Sequence, residues 1–269
     1  MNSAMTGAAG VLVIGHGTAD PVGAAETRQV AATVASLMPD VPVELGFLEV
    51  IAPTIGDAVA RLAARGCRSL VAAPLLLFAA GHAKRDVPEA VAVAAALHGL
   101  DVGQSDAFGE IEEIVDLSRT RRREAVAARG PVAAAETVLL MIGRGSSDPA
   151  AAAQLRSFTE ATLADLGAER PRRVEFGFVA AARPRLEEAI AAACDPADVE
   201  VRRIIVQPHL LFRGHVEDQV SDAVADGRRR RPDVEWIHVA RLGADPLVAR
   251  ALGRRVTQVL GAQSLSRQG

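Results

Sequence analysis

The chain has 269 residues, 49% of them hydrophobic and 23% charged, with a formal net charge of −3. That balance describes an ordinary soluble globular protein with room for about two domains, and it argues against nucleic acid as the main partner. No apolar run approaches the roughly 20 residues of a membrane span, and residues 1–10 lack the charged and apolar regions of a secretory leader, so a cytoplasmic location is expected. The two cysteines, Cys67 and Cys194, fit no metal-binding spacing and read as reduced core thiols.

In chain order, residues 11–14 form a β-branched run expected as the first strand. Asp20 and Pro21 fit the cap and first position of a helix reaching about Met38. Residues 43–50 read as strand two, and Pro53 opens a helix that stops at Gly66. The apolar run 70–78 reads as a strand buried on both faces, which implies a parallel sheet covered by helices. A helix from about Val87 to Leu97 and a short strand over 101–106 complete a β-α-β-α-β-α-β series, half of a doubly wound architecture. Residues 110–129, with Arg119, Arg121, Arg122 and Arg123, are expected as a connecting helix with a solvated charged face.

The second half repeats the first. Val138-Leu139-Leu140-Met141-Ile142-Gly143-Arg144-Gly145 mirrors Val11-Leu12-Val13-Ile14-Gly15-His16-Gly17. Val174-Glu175-Phe176-Gly177-Phe178 mirrors Val43-Glu44-Leu45-Gly46-Phe47, and the stretch from Pro208 to His215 mirrors that from Pro74 to His82. Ordered matches of this kind mark a duplicated unit. The last strand is expected over 234–239 and a closing helix over 245–260. The expected fold is therefore α/β: two tandem, similar doubly wound domains with parallel sheets and an active-site cleft between them. Residues 1–130 form the N-terminal domain, including a linker helix from about 108, and residues 131–269 the C-terminal degenerate repeat.

The copies differ where chemistry is expected, at the carboxyl ends of the strands. His16 stands opposite Arg144, and Glu49 opposite Ala180; His82 and His215 are histidines in both. Only the first copy thus presents His16, Glu49 and His82 at three successive strand ends. Two imidazoles and a carboxylate suit a divalent first-row metal with open coordination positions.

Gly15-His16-Gly17-Thr18, Phe47-Leu48-Glu49 and the stretch Pro74-Leu75-Leu76-Leu77-Phe78-Ala79-Ala80-Gly81-His82-Ala83-Lys84-Arg85-Asp86 resemble the class II tetrapyrrole chelatases, and within them the long, two-domain sirohydrochlorin chelatases. The resemblance spans both halves. It implies insertion of Fe(II), for sirohaem, or of Co(II), for cobalamin, into a free-base tetrapyrrole. It further implies that His16 and His82 bind the metal and help to deprotonate the ring, with Glu49 assisting. No cofactor beyond the substrate metal ion is implied and no ATP, and no Gly-x-x-x-x-Gly-Lys-Ser/Thr loop is present. The long cobalt enzymes often carry a His-rich stretch or a cysteine cluster near the C-terminus; this chain has neither, which favours iron.

The chemistry suits those residue types. A neutral imidazole binds a metal or accepts a proton near pH 7, and Glu49 can balance charge or relay protons. Sirohydrochlorin carries eight carboxylates, so cationic groups at the rim are expected: Lys84, Arg85, Arg144 and Arg213, with His209 and His215 lining an opposing wall. The partners expected are a tetrapyrrole and a divalent metal, with neither nucleic acid nor membrane, and the chain is expected to act as a monomer with two pseudo-symmetric halves. Other readings are cobalt or nickel insertion and a non-catalytic metal or tetrapyrrole carrier. A histidine-type phosphatase is less favoured, because those enzymes place arginine before the histidine where Gly15 stands here.

Overall fold

Val11, Leu12, Val13 and Ile14 are all buried, so the first strand is covered on both faces, as the unbroken apolar run requires. In the computed structural model, which describes residues 9–78, 85–195 and 197–266, this strand is β1 (Ala9–Gly15). It is followed by α1 (Pro21–Leu37), β2 (Val43–Phe47), α2 (Ile55–Ala64), β3 (Ser69–Pro74), α3 (Asp86–Ala96) and β4 (Asp101–Gln104). Among the described residues these strands form one sheet in the order β2-β1-β3-β4, with every pair parallel. The second half repeats the series as α4 (Glu112–Ala127), β5 (Thr137–Gly143), α5 (Pro149–Leu163), β6 (Arg173–Phe178), α6 (Leu186–Ala193), β7 (Arg203–Pro208), α7 (His215–Arg230), β8 (Glu235–His238) and α8 (Pro246–Ser266). Its sheet runs β6-β5-β7-β8, again all parallel. The duplication read from the sequence is therefore a duplication of topology.

Local chemistry explains the element ends. Asp20 caps α1, its Oδ1 accepting from the Val22 and Gly23 amides at 2.8 and 3.0 Å, and Asp148 accepts from the Ala150 amide at 3.0 Å at the same place in the second copy. The helix expected to open at Pro53 starts instead at Ile55. Thr54 and Asp57 form a reciprocal capping box there, with each side chain bonded to the other's backbone amide. Strand β3 ends at Pro74, short of the expected Phe78, because Leu76 turns back to bond the Pro74 carbonyl. Strand β2 likewise stops at Phe47, and α8 continues to Ser266 instead of ending at 260.

The compact units follow a different division from the one expected at residue 130. Met1–Phe108 with Ala244–Gly269 form unit 1, and Gly109–Gly243 form unit 2. In unit 1, α2 and α3 cover the sheet face carrying Leu12, Ile14, Leu70 and Ala72. The other face is covered by α1 and α8, with Val248, Leu252 and Val256 of α8 fully buried. In unit 2, α6 and α7 cover the face of Leu140, Ile142, Ile204 and Val206, while α5 and α4 pack together on the opposite side. The helix following each fourth strand therefore completes the other copy's unit.

Buried arginine chemistry fixes α4 in unit 2, which corrects the expectation of a solvated linker face. Arg122 is only 7% exposed. Its Nη1 donates to Gln207 Oε1 at 3.0 Å, and its Nη2 donates to the Thr162 carbonyl at 2.9 Å. Gln207 in turn donates from Nε2 to the Ser118 carbonyl and hydroxyl at 2.8 and 2.9 Å. Arg119 donates to the Ala161 carbonyl at 2.6 Å, so the last carbonyls of α5 meet two guanidinium groups. Burial, reinforced by the neighbouring Arg119 and Arg123 charges, pushes the Arg122 pKa down to about 10.

Candidate metal-binding site

The parallel register sets the site. Gly15 pairs with Phe47 at the ends of β1 and β2, and pairing continues past both strands. The Leu48 amide donates to the Gly15 carbonyl at 2.9 Å and the Glu49 amide to the His16 carbonyl at 3.1 Å. Gly17, at φ +101°, lies so close beneath this loop that a Cβ there would overlap the Glu49 carbonyl oxygen. The two loops are thereby held together, and their side chains meet: His16 Nε2 lies 3.0 Å from Glu49 Oε1, with both side chains more than half exposed.

The second copy builds the same backbone with different side chains. The Val179 amide donates to the Gly143 carbonyl at 3.1 Å, and the Ala180 amide to the Arg144 carbonyl at 2.8 Å. Gly145, at φ +88°, approaches the Ala180 carbonyl just as Gly17 approaches that of Glu49. Arg144 thus occupies the place of His16 and Ala180 that of Glu49. The sequence alignment of the copies is correct at this junction, and the missing carboxylate leaves Arg144 exposed, with no carboxylate at ion-pair distance among the described residues.

The other sequence candidates fall at several places. His82 and Lys84 lie outside the described residues. Arg85 is exposed at the start of α3, and His215 is exposed as the first residue of α7. Arg213 is held by two acids: its Nη2 lies 2.6 Å from Asp218 and its Nη1 3.6 Å from Glu217. Glu217 is itself a buried carboxylate, and both its oxygens accept from Arg241 Nη1, at 2.9 and 3.0 Å. Sequence reasoning missed this cluster, although Arg213 and Glu217 stand at helical i, i+4 spacing, a readable signal.

His209 is corrected. It is 5% exposed, with its ring packed against Phe158 at a centroid distance of 4.2 Å. Burial pushes its pKa down to about 3, so it is a neutral core residue of unit 2, unfit to line a wall. Cys67 and Cys194 are free and buried, and burial raises both thiols.

The His16–Glu49 pair fits a divalent cation. Two donors each about 2.0–2.2 Å from one ion, with open positions beside them, stand roughly 3 Å apart. Among the described residues no group of three or more His, Cys, Asp or Glu side chains could hold a metal. The pair is thus a two-donor arrangement open to solvent.

Fold and duplication together are those of the long, two-repeat class II chelatases. A family model described as CbiX matches residues 10–125 and again 138–259, and the chain belongs to that family. A sirohydrochlorin ferrochelatase of Priestia megaterium is 32% identical over 185 residues, covering 68% of this chain and about two thirds (66%) of that relative. A sirohydrochlorin cobaltochelatase of the same organism is 25% identical over 256 residues, covering 93% of this chain and 79% of the relative. Among solved structures, SirB from Bacillus subtilis with Fe3+ is similar at 25% identity and a TM-score of 0.76, over 94% of this chain and 95% of that one. No helix among the described residues is long and apolar enough to cross a membrane.

Proposed function

We propose that the protein inserts a divalent metal, Fe(II) in preference to Co(II) or Ni(II), into sirohydrochlorin without ATP. The observation that carries this reading is the 3.0 Å His16–Glu49 pair at adjoining parallel strand ends, present in one copy and replaced in the other by Arg144 and Ala180. Metallation must strip water from the ion and take two pyrrolic protons from the ring. His16 binds the ion or, with its lone pair free, accepts a pyrrolic proton, and Glu49 balances the charge and passes protons outward. His82 is proposed as the third donor. A site with few protein donors leaves positions open for ring nitrogens, whereas a closed four-ligand cage would retain the ion.

The ring's carboxylates are proposed to meet Lys84, Arg85, Arg144 and His215. Arg144 is the foremost of these, because Ala180 leaves it without the acid that His16 has in Glu49. Arg213 is a weaker candidate, its charge already engaged by Asp218 and Glu217. The protein is proposed to act as a single cytoplasmic chain with no resident cofactor.

The test is anaerobic metallation of sirohydrochlorin by catalytic amounts of protein with Fe(II), Co(II) and Ni(II) side by side, followed by ring absorbance. Many turnovers, fastest with iron, are expected. One equivalent metallated per chain would make the protein a carrier, and no metallation with any ion would end the reading.

A further inference from the structure

Among the described residues only two non-glycine residues have positive φ, Val50 at +71° and Ala181 at +55°. They stand at the same place in the two copies, one residue past Glu49 and one past Ala180. The turn that carries the second strand's chain over Gly17 or Gly145 demands the left-handed conformation, which explains the φ in both copies. It does not explain a valine. Left-handed backbone is tolerated by glycine and asparagine and is a genuine outlier for a β-branched residue.

Burial does not compensate, because Val50 is 63% exposed. A branched apolar side chain held in an unfavourable conformation and turned largely to water serves the fold worse than glycine would. Its location is specific: a Cβ built on Gly17 would lie 3.6 Å from Val50 Cβ, so the valine stands over the His16 loop and beside Glu49. Val50 and the His16–Glu49 pair are thus exposed on the same two adjoining loops. The copy without the pair carries only a methyl group there, Ala181.

We infer that Val50 is an apolar contact for the flat face of the tetrapyrrole, seating the ring against the His16–Glu49 pair. The inference rests on the metallation reading and deepens it by naming a residue that touches the ring and not the metal. Its signature is a conflict between stability and binding. Val50→Gly relieves the strained conformation and raises the melting temperature by about 2–4 °C. The same change raises the KM for the ring about tenfold, the size expected when a buried valine contact is lost, and leaves the metal dependence unchanged. Val50→Thr keeps the branching and the strain but exchanges a methyl for a hydroxyl; it should melt like the wild type and bind the ring more weakly.

Equilibrium binding of metal-free sirohydrochlorin, followed by its absorbance, separates this inference from the reading beneath it. A wild-type protein that binds the ring without metallating it overturns the proposed reaction alone, and the valine contact is then read from the binding curves. Ring affinity unchanged in both Val50→Gly and Val50→Thr overturns the contact. So does a lower melting temperature in Val50→Gly, which would make the valine a residue of the fold. A wild-type protein that binds no ring overturns both.

Discussion

Gly17 and Glu49 belong to neighbouring loops whose backbones touch, with the glycine at φ +101° and the space for its Cβ filled by the Glu49 carbonyl oxygen. Gly17→Ala therefore has to push the two loops apart. It should reduce metallation at least tenfold and destabilise the protein by about 1–3 kcal/mol. Gly66 also has positive φ but open space around it, so Gly66→Ala should cost about 1 kcal/mol and leave turnover intact. Equal losses of activity in the two variants would show that the loop contact is irrelevant to the site.

In the proposed reaction His16 and Glu49 serve one ion, so their substitutions should not add. His16→Ala is expected to lower turnover by at least about a hundredfold and Glu49→Ala by less, with the double variant no worse than His16→Ala. Steady-state metallation rates decide this, and full additivity would mean separate roles. His82→Ala should match His16→Ala, and near wild-type rates there would remove it from the proposed donor set.

Arg144→Ala should raise the KM for the ring about tenfold at constant kcat, the behaviour of a group that binds ground and transition states alike. Arg213→Ala should do less, because Asp218 and Glu217 already hold that guanidinium.

Buried His209 makes unit 2 sensitive to acid. Its pKa of about 3 in the fold lies below its ordinary 6.5, so below pH 6.5 the unfolded chain binds the proton that the folded chain refuses. Stability contributed by the neutral ring is complete above pH 6.5 and is lost as the pH falls towards 3, by roughly 3 kcal/mol at pH 4. The first copy carries Leu75 at this position, also buried. His209→Leu should flatten the acid limb of a denaturant-midpoint titration; an unchanged limb would mean the histidine protonates in place.

Arg122→Met should destabilise unit 2 by about 2–4 kcal/mol, since the Gln207 and Thr162 oxygens lose their donor inside the protein. Exposed Arg123→Ala should stay within about 0.5 kcal/mol. Urea unfolding compares the two, and similar losses would make the burial of Arg122 energetically idle.

Most of the architecture was legible because runs such as Val11-Leu12-Val13-Ile14 leave no polar face, and because the same punctuation, Asp20-Pro21 and Asp148-Pro149, recurs in both copies. The His16–Glu49 pairing was legible because the two copies align and differ there. Three features were hidden for physical reasons. Arg122 is one arginine in a charged helix, and nothing in its local sequence says that Thr162 and Gln207 await it. His209 follows a strand as a ligand would, but its environment is set by Phe158 of a distant helix. The strain at Val50 lies in the backbone and leaves no mark on composition or periodicity.

The exchange of α4 and α8 has a consequence for biosynthesis. The amino-terminal sheet is translated before unit 2, yet α8, which with α1 covers one face of that sheet and packs on β3, emerges only after all of unit 2 has been made. Unit 1, which carries His16 and Glu49, is thus begun before unit 2 and finished after it. A nascent chain in between leaves the part of that face under α8 wet, the state in which chaperones have most to offer.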